Sequence, residues 1–217
     1  MFGNRKTCFA AVLLLSGVQV AQSSSFSFSG TFNQDSGVQL FTFSLSAAST
    51  ATIKTWSYGG GTDALGQPIA AGGFATDLAL YSGTGTLIDF TNAGSCPPQN
   101  IDPASGLCGD AILQKTNLAA GNYIVALTEY FNIPNGLTLA SGFLEDGQGN
   151  FTGPFLCGTQ GGFFDAGCNK RTQRFEVDIL GANSAAAVPE PVNTLLLGSG
   201  LLAVIEGIRR RHKLFNN

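Results

Sequence analysis

Across residues 24–181 apolar side chains recur at every second position, in short runs broken by glycine, and nowhere at sustained helical spacing. Phe26, Phe28 and Phe32 alternate with Ser and Thr, while Phe175, Val177 and Ile179 alternate with Arg174, Glu176 and Asp178. Side chains two apart on a strand share a face, so one set is buried and the other meets water. On this reading Glu176 and Asp178 lie on a solvent face. Further strands are expected over 38–45, 50–56, 78–81, 86–90, 111–115 and 123–130. Within the first of these the apolar phase shifts between Leu40 and Phe41, which requires a bulge or two buried faces. Ser82-Gly83-Thr84-Gly85 reads as a hairpin turn, because glycine adopts positive φ without strain. About seven to nine short strands separated by turn signals predict an all-β fold, an antiparallel β-sandwich.

The two ends do not belong to that domain. Arg5 and Lys6 precede an apolar stretch over 8–20, and Ala21-Gln22-Ser23 supplies small residues at the spacing a signal peptidase reads, so 1–23 is expected to be a signal peptide. At the other end, after a linker at 182–187, Val188-Pro189-Glu190-Pro191 leads into an apolar run over 192–208 and then Arg209, Arg210, Arg211, His212 and Lys213. A membrane-spanning helix needs about 17–25 apolar residues, so this run qualifies as a transmembrane helix. The basic cluster behind it favours a cytoplasmic position. Glu206 interrupts the run but sits a helical turn before Arg209 and Arg210, where the charges meet at the interface.

A proline-flanked glutamate, a spanning helix and a basic stop, in that order, resemble the PEP-CTERM sorting signal of Gram-negative bacteria. The resemblance implies an exosortase-type processing enzyme as partner, a transient membrane anchor, and a mature protein at the cell surface or outside the cell. The body carries a second resemblance. Gly30-Thr31-Phe32, Val38-Gln39-Leu40-Phe41-Thr42-Phe43, Thr55-Trp56-Ser57-Tyr58, Ala71-Gly72-Gly73-Phe74 and Gly121-Asn122-Tyr123 look like a bacterial family of exported PEP-CTERM proteins. Those domains are in turn similar to the jelly-roll modules of the pre-peptidase C-terminal type. This likeness implies a jelly-roll sandwich and transfers no catalytic residues.

Composition narrows the function. The body has five basic residues, Lys54, Lys115, Lys170, Arg171 and Arg174, against twelve acids, a net charge of −7. No nucleic-acid partner is expected, since phosphates require a basic face. Four cysteines remain once Cys8 leaves with the signal peptide: Cys96, Cys108, Cys157 and Cys168. They allow three pairings. Cys96 with Cys108 and Cys157 with Cys168 each close a short loop, as an oxidising compartment permits, and a crossed pairing stays open. A tetrathiolate zinc site is disfavoured, because its ligands come as closely spaced pairs.

Chemistry is sparse. The single histidine, His212, lies in the basic tail, which leaves the body without a Ser-His-Asp or Cys-His arrangement. Phosphate-loop and nucleophile-elbow motifs are absent from the sequence. Glu129, Glu145, Asp146, Glu176 and Asp178 are the carboxylates from which a glycosidase pair would be drawn, and their spacing indicates no convergence. Glu145-Asp146-Gly147-Gln148-Gly149-Asn150 clusters oxygen donors suited to calcium but departs from the twelve-residue loop frame. Trp56 and Tyr58 offer aromatic faces for sugar rings, although a lone Trp in a small sandwich is more often core. The long connections 59–73, 91–110 and 131–173 are the places to expect recognition. Together these features predict a non-enzymatic exported protein of the envelope or extracellular polysaccharide matrix, needing no cofactor. A carbohydrate- or calcium-binding adhesion module and a glycan-active enzyme are the alternatives.

Overall fold

The computed structural model describes residues 24–94 and 101–189. The expected signal peptide at 1–23, Cys96, and the tail from Glu190 onward, including the helix at 192–208 and Arg209, Arg210, Arg211 and Lys213, lie outside the described residues. The strands are β1 (Ser24–Thr31), β2 (Val38–Leu45), β3 (Ser49–Thr55), β4 (Gly61–Thr62), β5 (Pro68–Ile69), β6 (Thr76–Ser82), β7 (Leu87–Thr91), β8 (Ile112–Leu118), β9 (Gly121–Glu129), β10 (Arg174–Ala182) and β11 (Ser184–Val188). They form a sheet A in the order β1-β10-β3-β8, a sheet B in the order β11-β2-β9-β6-β7, and a small β4-β5 hairpin. Every pairing is antiparallel.

Strand alternation builds the core between the sheets. Phe175, Val177 and Ile179 of β10 and Ala51 and Ile53 of β3 meet Phe41 and Phe43 of β2, Leu78 and Leu80 of β6, and Val125 and Leu127 of β9. Full burial of each large side chain stabilises the fold by about 1.5–3 kcal/mol. At one end the core is aromatic: Phe32 stacks on Phe74 with centroids 5.0 Å apart and tilts against Phe175 at 5.3 Å. Gly30 is required there, because the Phe175 ring lies where a Cβ would project.

The phase shift at Leu40 and Phe41 resolves into two buried faces. β2 pairs with β9 in unbroken register. Phe41, Phe43 and Leu45 point between the sheets, whereas Val38 and Leu40 pack outside with Ala79, Tyr81, Ala126 and Phe143. Phe143 and Leu139 come from the connection after β9, which folds back over the outer face of sheet B. The hairpin at 82–85 forms as expected, with the Gly85 amide donating to the Ser82 carbonyl at 2.8 Å and Gly85 at φ 84.

The domain extends further than expected. Residues 182–187 are not a linker: Ala182 ends β10, and β11 then pairs with β2 along the edge of sheet B. Gly181, at φ 84, supplies the left-handed conformation that a side chain would resist. Val188, the first residue of the proline motif, is the last residue of β11.

Cys157 and Cys168 form a disulfide with Cα atoms 5.5 Å apart, as the sequential pairing predicts. A loop of this length gains on the order of 3 kcal/mol in the chain-entropy account. Cys108 is also disulfide-bonded.

Candidate functional site

The three long connections converge at one end of the sandwich, and Arg171 holds them together. Its Nε donates to the Gly73 carbonyl at 3.0 Å, its Nη2 to the Tyr58 carbonyl at 2.9 Å, and its Nη1 to Asp102 Oδ2 at 2.9 Å. A second carboxylate, Asp165, stands 3.8 Å from the same Nη1. The guanidinium also stacks on the Tyr58 ring, 3.7 Å from its centroid. Tyr58 Oη donates to Asp165 Oδ2 at 2.6 Å. One planar cation thus serves two acids, two carbonyls and a ring, a task its rigid fork suits and an ammonium does not.

The surrounding aspartates clamp backbone. Asp35 accepts from the amides of Phe151, Thr152 and Phe163 and from the Thr152 hydroxyl. Asp110 accepts from the amides of Tyr58 and Gly59 at 3.0 and 2.7 Å and from Thr55 Oγ1 at 2.9 Å. Asp77 accepts from Ala93 at 2.7 Å and from Phe131 at 3.3 Å. The Phe131 amide is held with its residue at φ 77, a strained setting for an aromatic. Buried amides need such acceptors, which is why irregular loops here are studded with Asp.

Burial shapes the ionisation of these groups. Asp77 is pushed up to about 7 by burial, which outweighs its two amide donors. Burial raises Asp110 as well. Asp102 goes the other way: burial lifts it, but hydrogen bonds from Ser105 and Arg171 hold it below the usual carboxylate range. Tyr58 rises to about 12 through burial and its bond to Asp165. Glu129 stands apart. It ends β9 on the inward line of Val125 and Leu127, is 0% exposed, and has no hydrogen-bond partner on either oxygen among the described residues. Burial, reinforced by the charges of Asp35 and Asp77, raises it well above the ordinary glutamate value.

The expected solvent face of β10 is a covered one. Glu176 and Asp178 are 5% and 0% exposed, because the 59–73 connection with its β4-β5 hairpin folds over the outer face of sheet A. Asp178 accepts from Trp56 Nε1 at 2.6 Å, the Ser27 hydroxyl at 2.5 Å and the Ala64 amide at 3.1 Å, with Lys54 Nζ at 3.7 Å. Glu176 is raised to about 7 by burial and by the charges of Asp63 and Asp178. The sequence pattern identified a second face but not the loop that covers it.

Trp56 and Tyr58 do not form a platform. Trp56 is 8% exposed, pressed between Lys54, Asp178 and Gly61 on the outer face of sheet A, and Tyr58 is 1% exposed inside the Arg171 network. The half-exposed aromatics lie elsewhere. Phe131 contacts Tyr130 at 4.0 Å and Phe155 at 5.3 Å, and Phe155, on the loop stapled by Cys157–Cys168, is 64% exposed.

The candidate carboxylates fall in three separate places: Glu129 between the sheets, Glu176 and Asp178 under the hairpin, and Glu145 and Asp146 on the turn beside Phe143. Asp146 accepts from the Phe143 amide at 2.8 Å, and the Glu145 amide donates to Asn132 Oδ1 at 2.9 Å. Among the described residues no three His, Cys, Asp or Glu side chains are grouped as metal ligands. No motif or spacing in the sequence marks Arg171, Asp35, Asp77, Asp102 and Asp165 as a group. The available signal was the scarcity of cations, since with five basic residues against twelve acids a buried cation has several acids to serve. Compared with known proteins, the chain matches no family model and no curated protein.

Proposed function

We propose that this chain is an exported, non-enzymatic β-sandwich delivered by a carboxyl-terminal sorting signal to the cell surface or the extracellular polysaccharide matrix. The observation that carries the reading is the junction between fold and tail. β11 runs to Val188, so the last described strand closes on the first residue of the proline motif, and Pro189 is suited to stopping a strand. A disulfide supports an oxidising destination. Strand order supports the jelly-roll form: β1-β10-β3-β8 faces β2-β9-β6-β7, with chain-consecutive strands of the two sheets alternating between them except at the β6–β7 hairpin. In this mechanism the signal peptide starts translocation, the 192–208 helix halts it, and an exosortase-type enzyme cleaves near Pro189-Glu190-Pro191.

Replacing Pro189, Glu190 and Pro191 together with Ala should trap uncut precursor in the membrane fraction. Release of a processed domain at the parental rate would refute the sorting assignment.

A second reading, carbohydrate binding, rests on Tyr130, Phe131 and Phe155 rather than on Trp56 and Tyr58. These rings are held by an Asp77-clamped backbone and a disulfide-stapled loop, a rigid arrangement of the sort that binds flat apolar faces. Phe155→Ala should abolish retention on immobilised polysaccharide while leaving melting unchanged. Equal retention of parent and variant would remove these rings from consideration.

A further inference from the structure

The two sides of the sandwich are finished differently. On the β7/β8 side, Lys115 and Asp89 sit on the inward-facing rows of their strands and join across the gap between sheets at 2.8 Å. Inward charge at a sheet edge prevents another strand from adding there. On the opposite side lie β1 and β11, with sequences SSFSFSGT and SAAAV, which contain no charge and no proline. Among the described residues β1 pairs only with β10, so its other backbone edge is unpaired over eight residues.

Grooves flank β1 on both faces. One, of about 500 Å³, opens between the sheets and is lined by Phe28, Phe41, Phe175 and Ala187. The other, also about 500 Å³, lies outside sheet A against Pro68, Ile69, Ala70 and Glu176. An added strand sends alternate side chains to opposite faces, so one row of its side chains would enter the groove between the sheets and the other would lie along the outer groove. β1 has that alternation itself: Phe26 and Phe28 lean on the inner core, while Ser25 and Ser29 are exposed.

The geometry points to a second copy of this chain as the occupant, with β1 pairing antiparallel to β1 about a two-fold axis and joining two four-stranded sheets into one. A register with Phe26 of one copy opposite Phe28 of the other keeps phenylalanine on the apolar face and serine on the polar face of both. The interface is isologous and closes as a dimer. Contact through one strand edge is expected to be weak, so the concentration series spans about 1–100 μM. The body charge of −7 opposes approach, and raising salt strengthens the dimer.

Sedimentation of the full-length chain in mild detergent, across a concentration series, tests this. The parent should dimerise, and Ser25→Lys with Ser29→Lys should weaken association at least tenfold, a change of about 1.4 kcal/mol or more, through like charges placed across the axis. Both positions are exposed, so near-parental melting will show that the variant is folded. Ala186→Lys places the same charge on β11 and should leave the dimer intact. A parent that stays monomeric throughout the series, a dimer unaffected by the β1 lysines, or a dimer broken by Ala186→Lys would each overturn the proposal.

Discussion

Arg171→Ala should lower the stability of the domain by about 3–5 kcal/mol, the usual effect of removing one partner from a buried ion pair. For a domain of this size that is roughly 6–20 °C in melting temperature. The loss is large because the guanidinium satisfies Asp102, Asp165 and the carbonyls of Gly73 and Tyr58 together. Without it two acids lose their counter-charge and two carbonyls lose a donor under the loops. Arg171→Lys should recover part of the loss, since one ammonium keeps the charge but cannot span all four acceptors. Thermal melting by circular dichroism provides the comparison, and limited proteolysis should show cleavage appearing first in 59–73 and 101–110. If Arg171→Ala melts within about 2 °C of the parent, Arg171 does not hold the loop end together.

Melting temperature should also fall as pH rises from 5 to 8, opposite to the acid sensitivity that paired carboxylates usually confer. Asp77 and Glu176 are raised to about 7, and Glu129 is raised well above its ordinary value, in each case chiefly by burial. The folded state therefore retains protons that the unfolded chain releases near pH 4. Stability from these groups is full below the unfolded value and is lost through the interval up to the folded one. Each such group removes up to about 1.4 kcal/mol per pH unit within that interval. Asp89 and Asp102 are lowered, the first by Lys115 and the second by Ser105 and Arg171 against the pull of burial, so they act in the reverse sense only in stronger acid. Glu129→Gln keeps the shape and removes the proton equilibrium. It should raise the melting temperature at pH 8 by several degrees, change it little at pH 5, and flatten the profile. A parental profile that is level from pH 5 to 8, or a Gln variant less stable at pH 8, would show that Glu129 does not fold in its neutral form.

Strand positions were legible in the sequence because a strand's pattern is local. Phe175, Val177 and Ile179 had to share a face, and their neighbours had to share the other, whatever the rest of the chain did. The same pattern could not say that the 59–73 connection returns to cover Glu176 and Asp178, since two-residue periodicity reports sides and not what lies upon them. Trp56 shows the same limit: its burial was foreseeable from its apolar area, but not that it would be buried outside the core against Asp178 and Lys54. The Arg171 network joins residues 58, 73, 102, 165 and 171, whose separations carry no period and no motif.

The sequence by itself determined an all-β body of antiparallel strands and the hairpin at 82–85, because these follow from side-chain alternation and glycine backbone freedom; it favoured the Cys157–Cys168 pairing and left the crossed one open, and the structure made the choice. Only the tertiary structure decided that β11 extends the sandwich to Val188, that an arginine ties the loop end together, and that among the described residues an inward ion pair guards one side of the sandwich and not the other. Those outcomes depend on which distant segments meet, and contact between segments far apart in the chain is set by the packing of the whole core.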